Sequence, residues 1–285
     1  MIRRKIMRSR PQEPIPGKPF HRYVMDDDSV WTEFYHSENG YLLRFPGLAD
    51  FEVSGDGRTV VGYPTEDSDE TTVEHLYINQ LVPLALSRQG QPAFHASVVT
   101  LEGGAVAFLG KTGMGKSTLA ASFALRGSTF LTDDALLVEE APDGCKARPS
   151  HPSIRLWDDS VEALVGDDFK QASPISYSDK TRLLAGDALT FCEEPRNLLA
   201  AFVLENKDSE IVAIRHLAGV ERYMAWLENS FLLDIEDNEL LARHFEWTHR
   251  ISGAVPTFAL DYPRDYGMLS DVHRAVREYL VTIGK

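Results

Sequence analysis

The stretch "AVAFLGKTGMGKSTLAASFALRGSTFLTDDALLVEE", residues 105–140, decides the fold. Its opening, Ala105–Leu109, is apolar and has the length of a buried strand. Gly110-Lys111-Thr112-Gly113-Met114-Gly115-Lys116-Ser117 then matches G-x-x-x-x-G-K-[ST] without a mismatch. Ser117 to Leu125 is a run of helix formers stopped by Gly127, and "TFLTDD" (129–134) reads as the next strand. Strand, glycine-rich loop and helix in that order predict an α/β fold built on a phosphate loop.

The chemistry follows from the residue types. Glycines let the backbone turn tightly and aim successive N–H groups at an anion. Lys116 reaches the outer phosphates, and the Ser117 hydroxyl can ligate Mg²⁺. The helix behind the loop adds its positive end. The expected nucleotide contacts are Gly110, Lys111, Thr112, Gly113, Met114, Gly115, Lys116, Ser117 and Thr118. Asp133 and Asp134 follow Lys116 by only 17 and 18 residues, room for one helix and one strand. That places both acids at the carboxyl end of a strand beside the loop, where open α/β sheets bind ligands. One carboxylate suffices to hold Mg²⁺. A second makes sense if a hydroxyl must lose its proton as it attacks the γ-phosphate. ATP and Mg²⁺ are the expected cofactors.

Working outward, residues 20–90 read as a β-rich N-terminal domain. "WTEFYH", "YLLRFPG" and "DFEVSGDGRTVVGYP" are short aromatic and β-branched runs separated by turn signals, with "DG" at 56–57 as in a hairpin. "VEHLYINQLVPLALSRQG" (73–90) fits a helix ending at Gly90. Residues 1–19, basic and then proline-rich, read as a disordered tail. Residues 91–285 form the phosphate-loop core. Its further strands are expected in "FHASVVTLE", "HPSIRLW", "LLAAFVLEN" and "VPTFALDYP". Helices dominate beyond about 217 and close with "MLSDVHRAVREYLVTI".

His95, the loop 110–117, "LRG" at 125–127 and "TDD" at 132–134 together resemble the catalytic core of HPr kinases. These are bacterial serine kinases whose phosphate loop is related to that of phosphoenolpyruvate carboxykinase. The resemblance implies an HPr kinase/PEP carboxykinase-like core with a smaller β-rich N-terminal domain and a helical C-terminal region. It implies that Asp133 is the base for a serine hydroxyl, that Asp134 and Ser117 support the metal, and that His95 belongs to the site. Either aspartate can still be the base on the residues alone. "YLLRFPGLADFEVSGDG", "LVPLALSRQGQPAFHASVV" and "HPSIRLWDD" are similar to a subgroup found with peptide-tailoring gene clusters, over about residues 20–280. Some of its members resemble kinases that phosphorylate a terminal serine of lasso-peptide precursors. In that subgroup a lysine recurs near Lys180, which makes Lys180 a candidate for countering charge on the transferring phosphoryl group. The chain departs from HPr kinases in its short N-terminal portion, in Thr118 where an acid commonly stands, and in lacking the glycine-rich signature tied to reverse phosphorylase activity. Arg155 in "SIRLW" reads as an exposed strand position or a substrate contact, and Trp157 as core.

The formal charge of −14 disfavours nonspecific nucleic-acid binding and favours a partner with basic character. No apolar run is long enough to span a bilayer; the longest, "LLAAFVL" at 198–204, has strand length. Cys145 and Cys192 lack metal or redox spacing and read as buried thiols in a reducing compartment. The basic "MIRRKIMRSR" start has no apolar h-region, so a cytoplasmic location is expected. The expected partner is a peptide or small-protein substrate, with a ribosomal precursor peptide one form of it; a homo-oligomer is compatible with this reading. A small-molecule kinase and a nucleotide-hydrolysing regulatory module remain as alternatives.

Overall fold

The computed structural model describes every residue except 1, 26, 143, 166–179, 187, 207 and 284–285. Two compact units emerge. One takes in the residues up to Gln91 together with Phe231–His244; the other takes in the described residues of 92–230 and those from Phe245 onward.

The first unit is a six-stranded sheet of β1 (Arg3–Ile6), β2 (His21–Val24), β3 (Val30–Ser37), β4 (Gly40–Phe45), β5 (Ala49–Ser54) and β6 (Thr59–Pro64), in the order β1-β6-β5-β4-β3-β2. Strands β2 to β6 form an antiparallel meander. Alternation sets the buried face: Tyr41, Leu43 and Phe45 of β4 point inward, and the residues between them are less buried. Helices α1 (Glu70–Leu76) and α2 (Val82–Arg88), joined by a π turn over Tyr77–Leu81, supply Val73, Leu76, Leu81, Leu84 and Ala85 to the same core. Asp69 caps α1, accepting from the Thr72 N–H at 2.7 Å. The hairpin at 56–57 forms as expected. Gly57 sits at φ +69, and a Cβ there would lie 2.4 Å from the Ala85 carbonyl oxygen, so only glycine fits.

Two expectations change here. Residues 1–19 are not wholly a tail, because β1 pairs in parallel with β6, Arg3 opposite Thr59 through Ile6 opposite Gly62. All four β1 residues are largely exposed, so backbone hydrogen bonds to a sheet edge hold it, helped by Arg4, which pairs with Glu74 and lies over the Tyr77 ring, and composition cannot register that. Gln12 adds a bond from Nε2 to Asp50 Oδ1 at 2.9 Å. The core of 91–285 is interrupted by Phe231–His244, which belongs to the first unit. There Leu233 is buried, and Asp234 accepts from the Tyr41 hydroxyl at 3.0 Å.

The second unit holds β7 (Ala93–Phe94), β8 (Ala96–Leu101), β9 (Gly104–Leu109), α3 (Lys116–Ala124), β10 (Phe130–Thr132), β11 (Leu136–Ala141), β12 (Gly144–Arg148), β13 (Ser153–Leu156), α4 (Asp158–Leu164), β14 (Thr181–Leu184), β15 (Arg196–Val203), β16 (Ala213–His216), α5 (Gly219–Leu227), α6 (Asn238–Ala254), β17 (Thr257–Asp261) and α7 (Leu269–Ile283). The division between the units falls within α6. The main sheet runs β10-β8-β9-β15-β12-β11-β7, and β17 lies beside β15. Strands β9, β15 and β17 are mutually parallel; β8 pairs antiparallel with β9, and β10 pairs antiparallel with β8 and so runs in the direction of β9. The sheet is covered on both faces, so β9 is buried throughout. Val106 and Phe108 face a core that includes Leu119 and Phe123 of α3 and Val272 and Val276 of α7. Ala105, Ala107 and Leu109 face one that includes Trp226 of α5 and Ile251 of α6. β13 and β14 pair in a small separate sheet.

Candidate active site

β9 delivers the phosphate loop. Gly110 leaves the strand at φ +141, and a Cβ there would lie 2.8 Å from the Leu204 carbonyl oxygen, so any other residue would push the loop off β15's end. Gly113 (φ +82) and Gly115 (φ +86) adopt the left-handed conformation that turns the chain into α3. Lys111, Thr112 and Gly113 are exposed, whereas Met114 packs partly against the core. Lys116 is buried, and its Nζ donates to the carbonyls of Gly110 (2.6 Å) and Lys111 (3.0 Å). Burial pulls its pKa down to about 8, with the charges of Asp134 and Asp133 opposing and Lys180 assisting. Ser117 opens α3 half-buried. Thr118 Oγ1 lies 3.1 Å from Ser160 Oγ on α4.

The two aspartates stand at the end of β10 in different surroundings. Asp133 Oδ1 accepts from Ser97 Oγ at 2.5 Å, and its Oδ2 accepts from the Arg155 backbone N–H at 3.0 Å. Burial, and then the neighbouring Asp134, push the Asp133 carboxyl up. Asp134 Oδ2 accepts from Arg155 Nε at 3.0 Å and Nη2 at 2.5 Å, and its Oδ1 is 3.8 Å from His95 Nε2. Burial alone would raise Asp134, but the Arg155 guanidinium, His95 and Lys180 hold it well below the usual carboxylate range. The surroundings therefore split the pair into one carboxyl that takes a proton readily and one that stays charged. Asp134 also sits at φ +71, a backbone strain often found at functional positions.

The expected site residues thus lie together. His95 is beside Asp134, and the Lys180 ammonium bears electrostatically on Asp133, Asp134 and Lys116. Residues 177–179 of "YSDKTRLL" lie outside the described residues. Arg155 is neither a plain strand position nor available to substrate, because it is committed to Asp134. Trp157 is not core: 45% of it is exposed, with Lys180 Nζ 5.2 Å from its ring centroid. Both cysteines are buried free thiols.

Two contributors escape sequence reasoning. Ser97 is one. The other is Asn229, whose Oδ1 accepts from the Gly110 N–H at 3.1 Å and whose Nδ2 donates to the Ala225 carbonyl at 2.8 Å. Its own carbonyl accepts from the His95 N–H at 2.6 Å, so one residue steadies both the loop and the histidine. A single asparagine at a helix end carries no signal of this.

Among the described residues, no cluster of three or more His, Cys, Asp or Glu side chains could hold a metal by itself. Mg²⁺ usually takes one or two protein oxygens and fills its shell with phosphates and water. Ser117 and the Oδ1 side of Asp134 suit that mode, since Arg155 occupies Oδ2.

No protein-family profile matches the chain, and no curated protein matches it. Among solved structures, the HPr(Ser) kinase/phosphatase from Coxiella burnetii overlaps 68% of this chain and 99% of its own, with 11% identity and a TM-score of 0.36. An overlap that loose says nothing about chemistry. Among the described residues, no helix is long and apolar enough to cross a membrane.

Proposed function

We propose that this chain is an ATP-dependent kinase that transfers the γ-phosphate to a hydroxyl, with a peptide serine as acceptor. The observation that carries the reading is the split acid pair beside the phosphate loop. A nucleotide-binding module needs one carboxylate for its metal; this pair holds a charged Asp134 and an Asp133 shifted toward proton uptake. Mg-ATP, when bound, supplies the phosphoryl group. The chain's own residues do the rest. Asp133 takes the acceptor's proton, and Ser97 and the Arg155 N–H fix the direction of its carboxylate. Lys116 and Lys180 place positive charge against the charge that develops on the transferring group. Asp134 and Ser117 hold the metal.

Support for a peptide acceptor comes from the resemblance to peptide-tailoring kinases, in which the acceptor is a precursor's terminal serine. It also comes from the six-stranded sheet, whose last strand, β2, is an edge of the kind extended peptides pair with. The chain should be incubated with labelled Mg-ATP and, in parallel, the peptide encoded beside its gene, free serine and simple sugars. Mass spectrometry is expected to place a phosphate on a peptide serine. Faster labelling of a sugar or amino acid would make it a small-molecule kinase. Nucleotide hydrolysis with no labelled acceptor would make it a hydrolase.

A further inference from the structure

We propose that Arg264 is a second cationic contact for the nucleotide's phosphate chain, on the side of the loop away from the acid pair. This rests on the kinase reading in one respect, that the phosphates lie at the 110–117 loop.

Three observations carry it. The first is position. Leu109 of β9 is in register with Val203 of β15, and Val203 with Ala259 of β17, all in parallel. β9 and β15 therefore end level and β17 runs two residues further, to Asp261, so Tyr262-Pro263-Arg264 leaves β17 at the same end of the sheet where Gly110 leaves β9, just beyond it. The acid pair leaves β10, two strands from β9 in the other direction. At about 4.8 Å per strand, the acids and the 262–264 segment flank the loop at roughly 10 Å on either side.

The second is contact. Tyr262 is buried, and its hydroxyl oxygen lies 3.4 Å from where a Cβ on Gly115 would stand. Arg264 Cζ is 3.9 Å from the centroid of the same ring. The guanidinium thus rides on a ring whose tip abuts the glycine that opens α3, the helix end where phosphate oxygens settle.

The third is that the guanidinium has no carboxylate partner among the described residues. Nε, Nη1 and Nη2 of Arg264 are all shielded from solvent without a hydrogen bond of good geometry, and their polar neighbour is the hydroxyl of Tyr262. The adjacent acid is turned elsewhere, since Asp265 Oδ1 accepts from the Gly267 N–H at 2.8 Å. Arginine cannot shed its charge. Stacking on an aromatic face returns only part of what is lost when such a charge leaves water unpaired. Arg155, in the same unit, shows the ordinary solution, a carboxylate. A cationic fork with no acid to neutralise it beside a phosphate loop matches the paired oxygens of a phosphate. Rotation of its own torsions releases it from the ring face.

Calorimetry with ATP and with inorganic pyrophosphate tests this on the wild type, Arg264→Met, Arg264→Lys and Lys116→Ala. Arg264→Met keeps the length and removes the charge. It should weaken both ligands about 10- to 100-fold, the scale of a charge-assisted contact. Arg264→Lys should recover part of the loss. Ligand-free, Arg264→Met should melt no lower than the wild type, because it removes a buried charge that no acid neutralises. Wild-type affinity in Arg264→Met overturns the proposal, as does a clear drop in its ligand-free melting temperature, which would mark a structural role. If the wild type binds neither ligand, or Lys116→Ala binds as well as the wild type, the kinase reading falls and this proposal falls with it.

Discussion

Replacing Arg155 with methionine separates charge from packing at the acid pair. The guanidinium gives two bonds to Asp134 Oδ2, and the side chains retain only 14% and 13% exposure. Methionine keeps most of the volume, and the backbone N–H that serves Asp133 is unaffected. What is lost is the cation beside a buried carboxylate. Breaking such a pair costs about 3–5 kcal/mol, and the residual exposure puts this one near 3. For a unit of this size about 1 kcal/mol moves the melting temperature by roughly 2–4 °C, so a fall of about 6–12 °C is expected near pH 7. The pH dependence fixes the cause. In the wild type Asp134 titrates well below its ordinary value, so its stabilisation is present above the unfolded-state pKa and is lost as pH falls through the depressed one. In the variant burial still raises Asp134 and only His95 and Lys180 remain to oppose it, so it takes up a proton at higher pH than in the wild type, and protonation relieves the penalty as pH falls. The variant's earlier protonation makes the deficit largest near neutrality and smaller toward about pH 4, and the wild-type loss narrows it further only below that. Thermal melts of both proteins across that range are the assay. An equal deficit at both ends would show that Arg155 acts by packing, and would undo the assignment of Asp134 as the permanently charged member.

Asp133→Asn should lower phosphoryl transfer by about 10²–10⁴ while ATP affinity is largely kept; near-wild-type turnover would move the base to Asp134. Lys116 titrates near 8 when free of ligand, and phosphate contact should raise it. Calorimetry at pH 8 in buffers of different ionisation heat should therefore reveal proton uptake on ATP binding, and buffer-independent heats would refute the depressed lysine. Asn229→Ala strands the buried Gly110 N–H, a loss of about 1–3 kcal/mol, and should weaken ATP roughly tenfold; unchanged affinity would make that bond incidental to the loop.

The phosphate loop and the acids are legible in the sequence because they depend on neighbours. Gly110, Gly113 and Gly115 announce a backbone need at their own positions, and the short count from Lys116 to Asp133 leaves room for only one helix and one strand. The grouping of the site is less legible, since it depends on the sheet. Asn229 reaches Gly110 across 119 positions, and Ser97 reaches Asp133 across 36. Arg155 alternates with Ile154 and Leu156 just as an exposed residue would, and only the carboxylate opposite shows its use. β1 escapes for the opposite reason: its side chains add little to the core, and its strand pairing lies in backbone groups that every residue shares.

Strand β9 has a consequence for how such chains can diverge. Its residues are buried on both faces, with Val106 and Phe108 toward one core and Ala105, Ala107 and Leu109 toward the other. The strand therefore has a parity. One inserted residue would send Phe108 into the space that Ala107 occupies and swing the mouth of the loop to the wrong side of the sheet. Two inserted residues would restore the parity but carry Gly110 about 7 Å beyond the flush ends of its neighbours. Length variation is barred from this strand and confined to the connections. A chain that keeps this loop keeps an unbroken count from Gly104 to Lys116, even where little else of its sequence persists.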